Sequence, residues 1–248
     1  MDLKITIIIP CYNREEYVEK CLVSAATQTY ENKEIIFMDN ESTDQSLEIA
    51  KKVQKNFPEI IVDVAKNIYP HSWQDPVEKA LSISTGDYFT IFGSDDFAEP
   101  TYIENAMKYI SVAPDRVNFF QSPMKGVLKN GETPAGELAH RYNDLDEFKR
   151  LLFEKQPVNT PTVIYKKSLY DEGVVSWRSE EYLGAIDYDS FFRIADHGHF
   201  IFPSPKWLGY YYRWNDSQLT WVMHNQDQNY DVKIKTYWKN RWQMEEAE

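Results

Sequence analysis

The sequence predicts an α/β protein built on a mostly parallel sheet with helices on both faces, and three observations carry that prediction. Short apolar runs alternate with amphipathic stretches of helical spacing over the first hundred residues, and each return between parallel strands requires such a crossover helix. The first run, Ile5 to Ile9, is rich in isoleucine and lacks the alternation of a half-exposed strand, so it reads as a strand covered on both faces. Polar residues follow the strands at what would be their carboxyl ends, where open parallel sheets bind ligands.

The elements follow in order. Lys4 to Pro10 is the first strand, closed by proline; from Glu15 to about Gln28 the residues Tyr17, Val18, Cys21, Leu22, Ala25 and Ala26 recur at helical spacing. Glu34 to Met38 is a second strand, after which Ser42, Thr43 and Asp44 offer capping side chains to a helix carrying Leu47, Ala50, Val53 and Phe57. Ile60 to Val64, a helix over Val77 to Ile83 and a strand over Tyr88 to Phe92 complete four β-α units. Beyond Pro100 the regularity weakens. Helices are expected at Tyr102 to Ile110, Asp146 to Phe153 and Asp187 to Asp196, and strands near Asn118 to Ser122, Thr162 to Tyr165 and Leu208 to Trp214. Lys129 to Glu137 reads as a hairpin or mobile loop, and Asp227 to Trp242 as a helix packed on the body through Tyr230, Ile234, Tyr237 and Trp238.

Composition narrows the function. The 248 residues are 42% hydrophobic and 15% aromatic, enough for a substantial core, and the formal charge of -12 disfavours nucleic acid as a partner. No apolar run approaches the ~20 residues of a membrane helix and no signal segment is evident, so the expected location is cytoplasmic, with at most a peripheral membrane association. Cys11 and Cys21 make no C-x-x-C, which argues against a disulfide framework or a cysteine zinc site. His71, His140, His197, His199 and His224 share no metal-ligand spacing and read as surface or loop histidines, while most of the tryptophans from Trp207 onward read as packing for the last helix.

Three strand ends supply the chemistry: Pro10-Cys11-Tyr12-Asn13, Asp39-Asn40-Glu41-Ser42 and Gly93-Ser94-Asp95-Asp96. The adjacent acids Asp95 and Asp96 repel unless a cation or strong donors offset them, so a hard metal ion is a natural partner. Neither G-x-G-x-x-G nor G-x-x-x-x-G-K-[ST] occurs, which disfavours the usual dinucleotide and P-loop sites; a phosphorylated ligand would then need a metal ion that Asp95-Asp96 could hold, as a metal-bridged diphosphate.

These segments resemble the family 2 glycosyltransferases. Ile7-Ile8-Ile9-Pro10-Cys11-Tyr12-Asn13, Gln28-Thr29-Tyr30 and Glu34-Ile35-Ile36 through Asp44 are similar to the family's opening; Gly86-Asp87-Tyr88 into Gly93-Ser94-Asp95-Asp96 is similar to its D-x-D segment. Ile186-Asp187-Tyr188-Asp189 resembles the E-D-x-D helix, and Tyr212-Arg213 the late Tyr-Arg strand. The resemblance implies a GT-A fold over residues 1–220, with a nucleotide-sugar half at 1–100, an acceptor-side half at 101–220 and a helical extension at 221–248. It also implies polysaccharide biosynthesis: inverting transfer from a nucleotide sugar, preferably UDP-linked, to a hydroxyl of a glycan or lipid-linked saccharide, with Mn2+ or Mg2+. By position, Pro10, Tyr12, Asn13, Asp39, Ser94, Asp95 and Asp96 would bind the donor, Tyr12 lying against the base, Asp39 accepting from a ring N–H, and Asp95 holding the metal. Asp187 would be the general base, with Glu181 the fallback and Asp189 on another helix face. Arg213 has two readings, a diphosphate or acceptor contact and a structural ion pair.

Four positions depart from the family pattern. Gly93 stands at the first D-x-D acid, Glu78 at a common asparagine, and Trp214-Asn215 at a residue-histidine pair that supplies a late metal ligand. Ile186 replaces the acid before the base, and loss of that neighbour is expected to lower the Asp187 pKa relative to the usual pair. Gly93 and Ile186 also support an alternative, a catalytically inactive nucleotide-sugar or glycan-binding module.

Overall fold

The computed structural model describes residues 3–70, 72–128, 132–133, 136–215 and 229–243. Its first half alternates β1 (Ile5–Cys11), α1 (Val18–Ala26), β2 (Lys33–Asp39), α2 (Ser46–Asn56), β3 (Ile60–Val64), α3 (Gln74–Ile83) and β4 (Tyr88–Ile91). β5 (Phe97–Ala98), α4 (Tyr102–Val112), β6 (Phe119–Gln121), β7 (Lys125–Val127) and α5 (Leu145–Glu154) follow. The remaining elements are β8 (Ile164–Lys166), α6 (Lys167–Asp171), α7 (Ser179–Tyr182), α8 (Ile186–Asp196), β9 (Phe202–Pro203), β10 (Tyr210–Arg213) and α9 (Tyr230–Arg241).

Seven strands form one sheet in the order β3-β2-β1-β4-β8-β6-β9. β1 lies parallel to β2 and β4, and β2 parallel to β3. The sides of β1 feed different cores: Ile5, Ile7 and Ile9 pack with Leu22, Phe37 and Ile103, while Ile8 packs with Met38, Val77 and Phe89. That is why the run carries no polar alternation. β8, beyond the four β-α units, runs antiparallel to β4 and β6, within what a mostly parallel sheet allows. The segment leading into it, Gln156 to Pro161, lines the same cavity as the end of β4, so the chain enters β8 from the carboxyl edge and must run back against its neighbour. A second sheet, β5-β10-β7, covers that edge. Strands of two or three residues, such as β5, β7 and β9, carry too little periodicity to be read from sequence.

Several local expectations are corrected by loop contacts. α1 starts at Val18 rather than Glu15, because Glu15 binds the β2–α2 loop: its N–H donates to Asp44 and its carboxylate accepts from the Gln45 N–H. Of the three expected caps for α2, Asp44 alone bonds at the helix start, accepting from the Ser46 N–H. Ser42 and Thr43 bond across to Asn13 instead. The expected strand at Thr162 to Tyr165 begins at Ile164, after a 3-10 turn over Thr160–Thr162. Parts of the Lys129 to Glu137 stretch, with His71, His224, Trp221 and the first residues of the expected last helix, lie outside the described residues; the stretch is closed by an antiparallel bridge between Met124 and Leu138.

α9 packs on α8 through Tyr230, Ile234 and Trp238, while Tyr237 is half-exposed. The Trp238 indole donates at 2.9 Å to the fully buried Asp189, whose carboxylate also receives Arg178 at 2.6 and 2.9 Å. Asp189 is thus spent inside the protein, on a face of α8 away from Asp187. No described helix is long and apolar enough to cross a membrane.

Candidate active site

Pro10, Tyr12, Asn13, Ser94, Asp95, Asp96 and Asp187 line one cavity of about 900 Å³ at the carboxyl edge of the sheet. Asp39 and Arg213 stand outside its lining. Tyr12 is 45% exposed, an open ring face. Asn13 adopts φ 52° and ties the first two strand ends together: its N–H donates to Ser42 and its amide oxygen accepts from the Thr43 N–H at 2.8 Å. Asp39 is buried; its Oδ2 accepts from the Ser42 N–H at 2.9 Å, and its Oδ1 has no partner in the described structure. An orphaned buried acceptor is costly, and a ligand N–H is the kind of group that satisfies it.

The two adjacent acids divide their work. Asp96 is turned inward, accepting from the Tyr210 hydroxyl at 2.9 Å and the Arg213 N–H at 2.8 Å, and burial with the neighbouring Asp95 charge raises its pKa. Protein donors thus meet both oxygens of Asp96, which also lines the cavity. Asp95 keeps its carboxylate at the cavity: Oδ2 accepts from Asn215 Nδ2 at 2.8 Å and lies 3.6 Å from Arg14 Nε, while Oδ1 has no described hydrogen-bond donor. Arg213 is nearly buried, donates through Nε to the Asp95 carbonyl and lies over the Tyr17 ring. These contacts, to a carbonyl and a ring rather than in the ion pair expected of the structural reading, tie β10 to the Asp95-Asp96 turn.

Gly93 is explained by the same turn. A Cβ there would sit 2.6 Å from Asp96 Oδ2 and 3.2 Å from Asp95 Oδ1. The inward Asp96 carboxylate occupies the space that a side chain at the first D-x-D position needs. Gly93→Ala is therefore expected to lower stability by about 1–3 kcal/mol, the usual cost of overpacking. Calorimetric melting of the variant checks this, and an unchanged Tm would mean that Asp96 moves aside freely.

Asp187 opens α8 and faces the cavity. Thr160 Oγ1 donates to its Oδ2 at 2.7 Å, Gln156 Nε2 reaches the same oxygen at 3.4 Å, and the Tyr188 N–H donates to Oδ1. Burial raises its pKa above that of a free aspartate in spite of these donors. A raised carboxylate pKa suits a proton acceptor, whose efficiency improves as its pKa approaches the working pH. Glu181, the fallback, lies on α7, pairs with Arg178 and is absent from the cavity lining.

Other cavity residues were not singled out in the sequence. Arg14, Thr160, Gln156 and Asp231 each line it, the last brought by α9, and His140, a half-buried loop histidine, lines it too. Only Arg14, directly after a strand-end motif, had a local signal; the rest reach the cavity through long-range packing.

Among the described residues no group of three or more histidine, cysteine or acidic side chains could cage a metal ion. One carboxylate oxygen at the cavity still fits a Mg2+ or Mn2+ ion that takes its other ligands from phosphate and water. Asn215 brings an amide donor to Asp95.

A mixed sheet with this strand order, flanked by helices and carrying an acid-lined cavity at its carboxyl edge, defines a GT-A glycosyltransferase fold. The family profile described as glycosyl transferase family 2 matches residues 6–175, and the chain belongs to that family. Among curated relatives, glycosyltransferase GlyA of Streptococcus pneumoniae is 38% identical over 110 residues, 44% of this chain and 15% of that protein. An uncharacterized glycosyltransferase of Haemophilus influenzae is 25% identical over 250 residues, covering 96% of this chain and 75% of the relative. Solved structures with the same fold include Staphylococcus aureus TarS 1-349 in complex with UDP-GlcNAc, with TM-score 0.72, 21% identity, and 96% and 72% of the two chains covered. Another is the mannosyltransferase PcManGT of Pyrobaculum calidifontis with GDP-Man and Mn2+, with TM-score 0.64, 15% identity, and 98% and 70% covered.

Proposed function

We propose that this chain is a metal-dependent, inverting glycosyltransferase that moves a sugar from a nucleoside diphosphate, preferably UDP, to a hydroxyl of a glycan or lipid-linked acceptor. The observation that carries the reading is the shared cavity of Asp95 and Asp187, one at the end of β4 and one at the start of α8. Asp95 would hold Mn2+ or Mg2+, which when bound stabilises the departing diphosphate. Asp187 takes the proton of the attacking hydroxyl, held by Thr160 in the orientation its Oδ2 needs. Solved neighbours of the same fold carry UDP-GlcNAc in one case and GDP-Man with Mn2+ in another, which supports a nucleotide sugar as the donor class.

The uridine preference rests on Asp39 Oδ1. That acceptor suits a base with a ring N–H, so competition binding in Mn2+ is expected to rank UDP first, dTDP close behind, GDP weaker, and CDP and ADP last. Asp39→Asn, which can donate as well as accept, should narrow the gap between UDP and CDP. A clear preference of the unaltered protein for CDP or ADP would leave Asp39 only its turn contact with Ser42.

A further inference from the structure

His140 lines the cavity beside Asn159, and the bonding around Asn159 determines which way the imidazole is protonated. Asn159 is buried; its Nδ2 donates to the Ser122 and Leu138 carbonyls at 3.0 and 2.8 Å, and its N–H donates to Gln121 Oε1. Both amide hydrogens being used, the atom 3.2 Å from His140 Nε2 is Oδ1, which can only accept. Nε2 therefore carries a proton. Burial, with Lys155 and Arg141 near, lowers the imidazole pKa and keeps the ring neutral, so Nδ1 holds a lone pair. No described residue donates to it.

The place of this lone pair in the fold indicates its ligand. On one side, Thr160 follows Asn159 directly and holds Asp187. On the other, Leu138 pairs with Met124, the neighbour of β7, and β7 pairs with β10, whose Arg213 donates to the Asp95 carbonyl. His140 thus shares one cavity with Asp95, the carboxylate proposed for the diphosphate, and Asp187, the one proposed for the base, and on that reading the transferred sugar lies in the same cavity.

We propose that His140 is a specificity residue for the sugar of the nucleotide-sugar donor, its Nδ1 accepting a hydrogen bond from a hydroxyl of that sugar, with Asn159 as its positioning residue. This rests on the nucleotide-sugar reading of the cavity. The test is calorimetry in Mn2+ with UDP, dTDP and GDP and with hexose conjugates of each, comparing every conjugate with its parent nucleotide. The conjugate that gains most over its parent is then measured on two variants. His140→Phe, which keeps a flat ring without the acceptor, should bind the parent nucleotide within about twofold of the unaltered protein while losing roughly tenfold of the sugar's contribution. His140→Asn, whose amide oxygen can stand where Nδ1 stands, should recover part of that loss, and nitrogen NMR of the unaltered protein should show the Nε2–H tautomer. An unchanged sugar contribution in His140→Phe, an Nδ1–H tautomer, or a set of conjugates none of which gains over its parent would overturn the proposal. Parent nucleotides that fail to bind at all would instead reject the nucleotide-sugar reading, and this proposal with it.

Discussion

Asp187→Asn should keep donor binding and lose sugar transfer by about 100-fold to 10,000-fold, the usual contribution of a general base. The amide keeps nearly the volume of the carboxylate and can still receive the Thr160 hydroxyl, so the wall of the cavity should persist. What disappears is the proton acceptor. Because burial raises the Asp187 pKa, the pH profile carries a second signature. The active form is the ionised one, so activity should fall as pH drops through that raised pKa, above the ordinary aspartate value of about 3.9. The acid limb should vanish in the variant's residual activity. Transfer within a few-fold of the unaltered rate would assign the base elsewhere, and a chain that binds donor but transfers nothing to any acceptor would be the inactive binding module.

The second large effect belongs to Asp95. In Asp95→Ala the Mn2+-dependent part of UDP affinity should disappear, because the substitution removes the β4-end carboxylate whose Oδ1 has no described donor, while both oxygens of Asp96 already accept from Tyr210 and Arg213. The loss should at least match the roughly 10- to 100-fold cost of removing an outer-shell partner of a metal ligand. The fold should survive, since the turn is anchored by Asp96 to Tyr210 and Arg213 rather than by the Asp95 side chain. Titration calorimetry with Mn2+ and again with EDTA reads the effect directly. Equal UDP affinity of the unaltered protein under both conditions would remove the metal from the reading.

The first half of this fold was legible because its signals are local. Ile5 to Ile9 reads as a doubly covered strand from five residues, and α1, α2 and α3 follow from spacing within a dozen. The strand ends were legible for the same reason: a parallel sheet puts Pro10-Cys11-Tyr12-Asn13 and Gly93-Ser94-Asp95-Asp96 at one edge whatever the details of packing. Even the expectation that adjacent acids need offsetting partners was sound physics. It favoured a hard metal ion, whereas the described partners of Asp96 are protein donors.

That choice was made by contacts between distant segments. Asp96 receives Tyr210 and Arg213 across sequence separations of 114 and 117, and Asp95 receives Asn215 across 120. Asp189 receives Trp238 across 49. By itself the sequence determined the order of the β-α units, the edge where chemistry would gather and the residue types available there. Only the tertiary structure decided which carboxylates face the cavity and which are neutralised inside, and it brought His140 and Asp231 to the same wall. The reason is that a carboxylate's pKa and freedom depend on the donors and the solvent within a few ångströms of it. Those neighbours are set by how β10, α8 and α9 pack, which no local periodicity records.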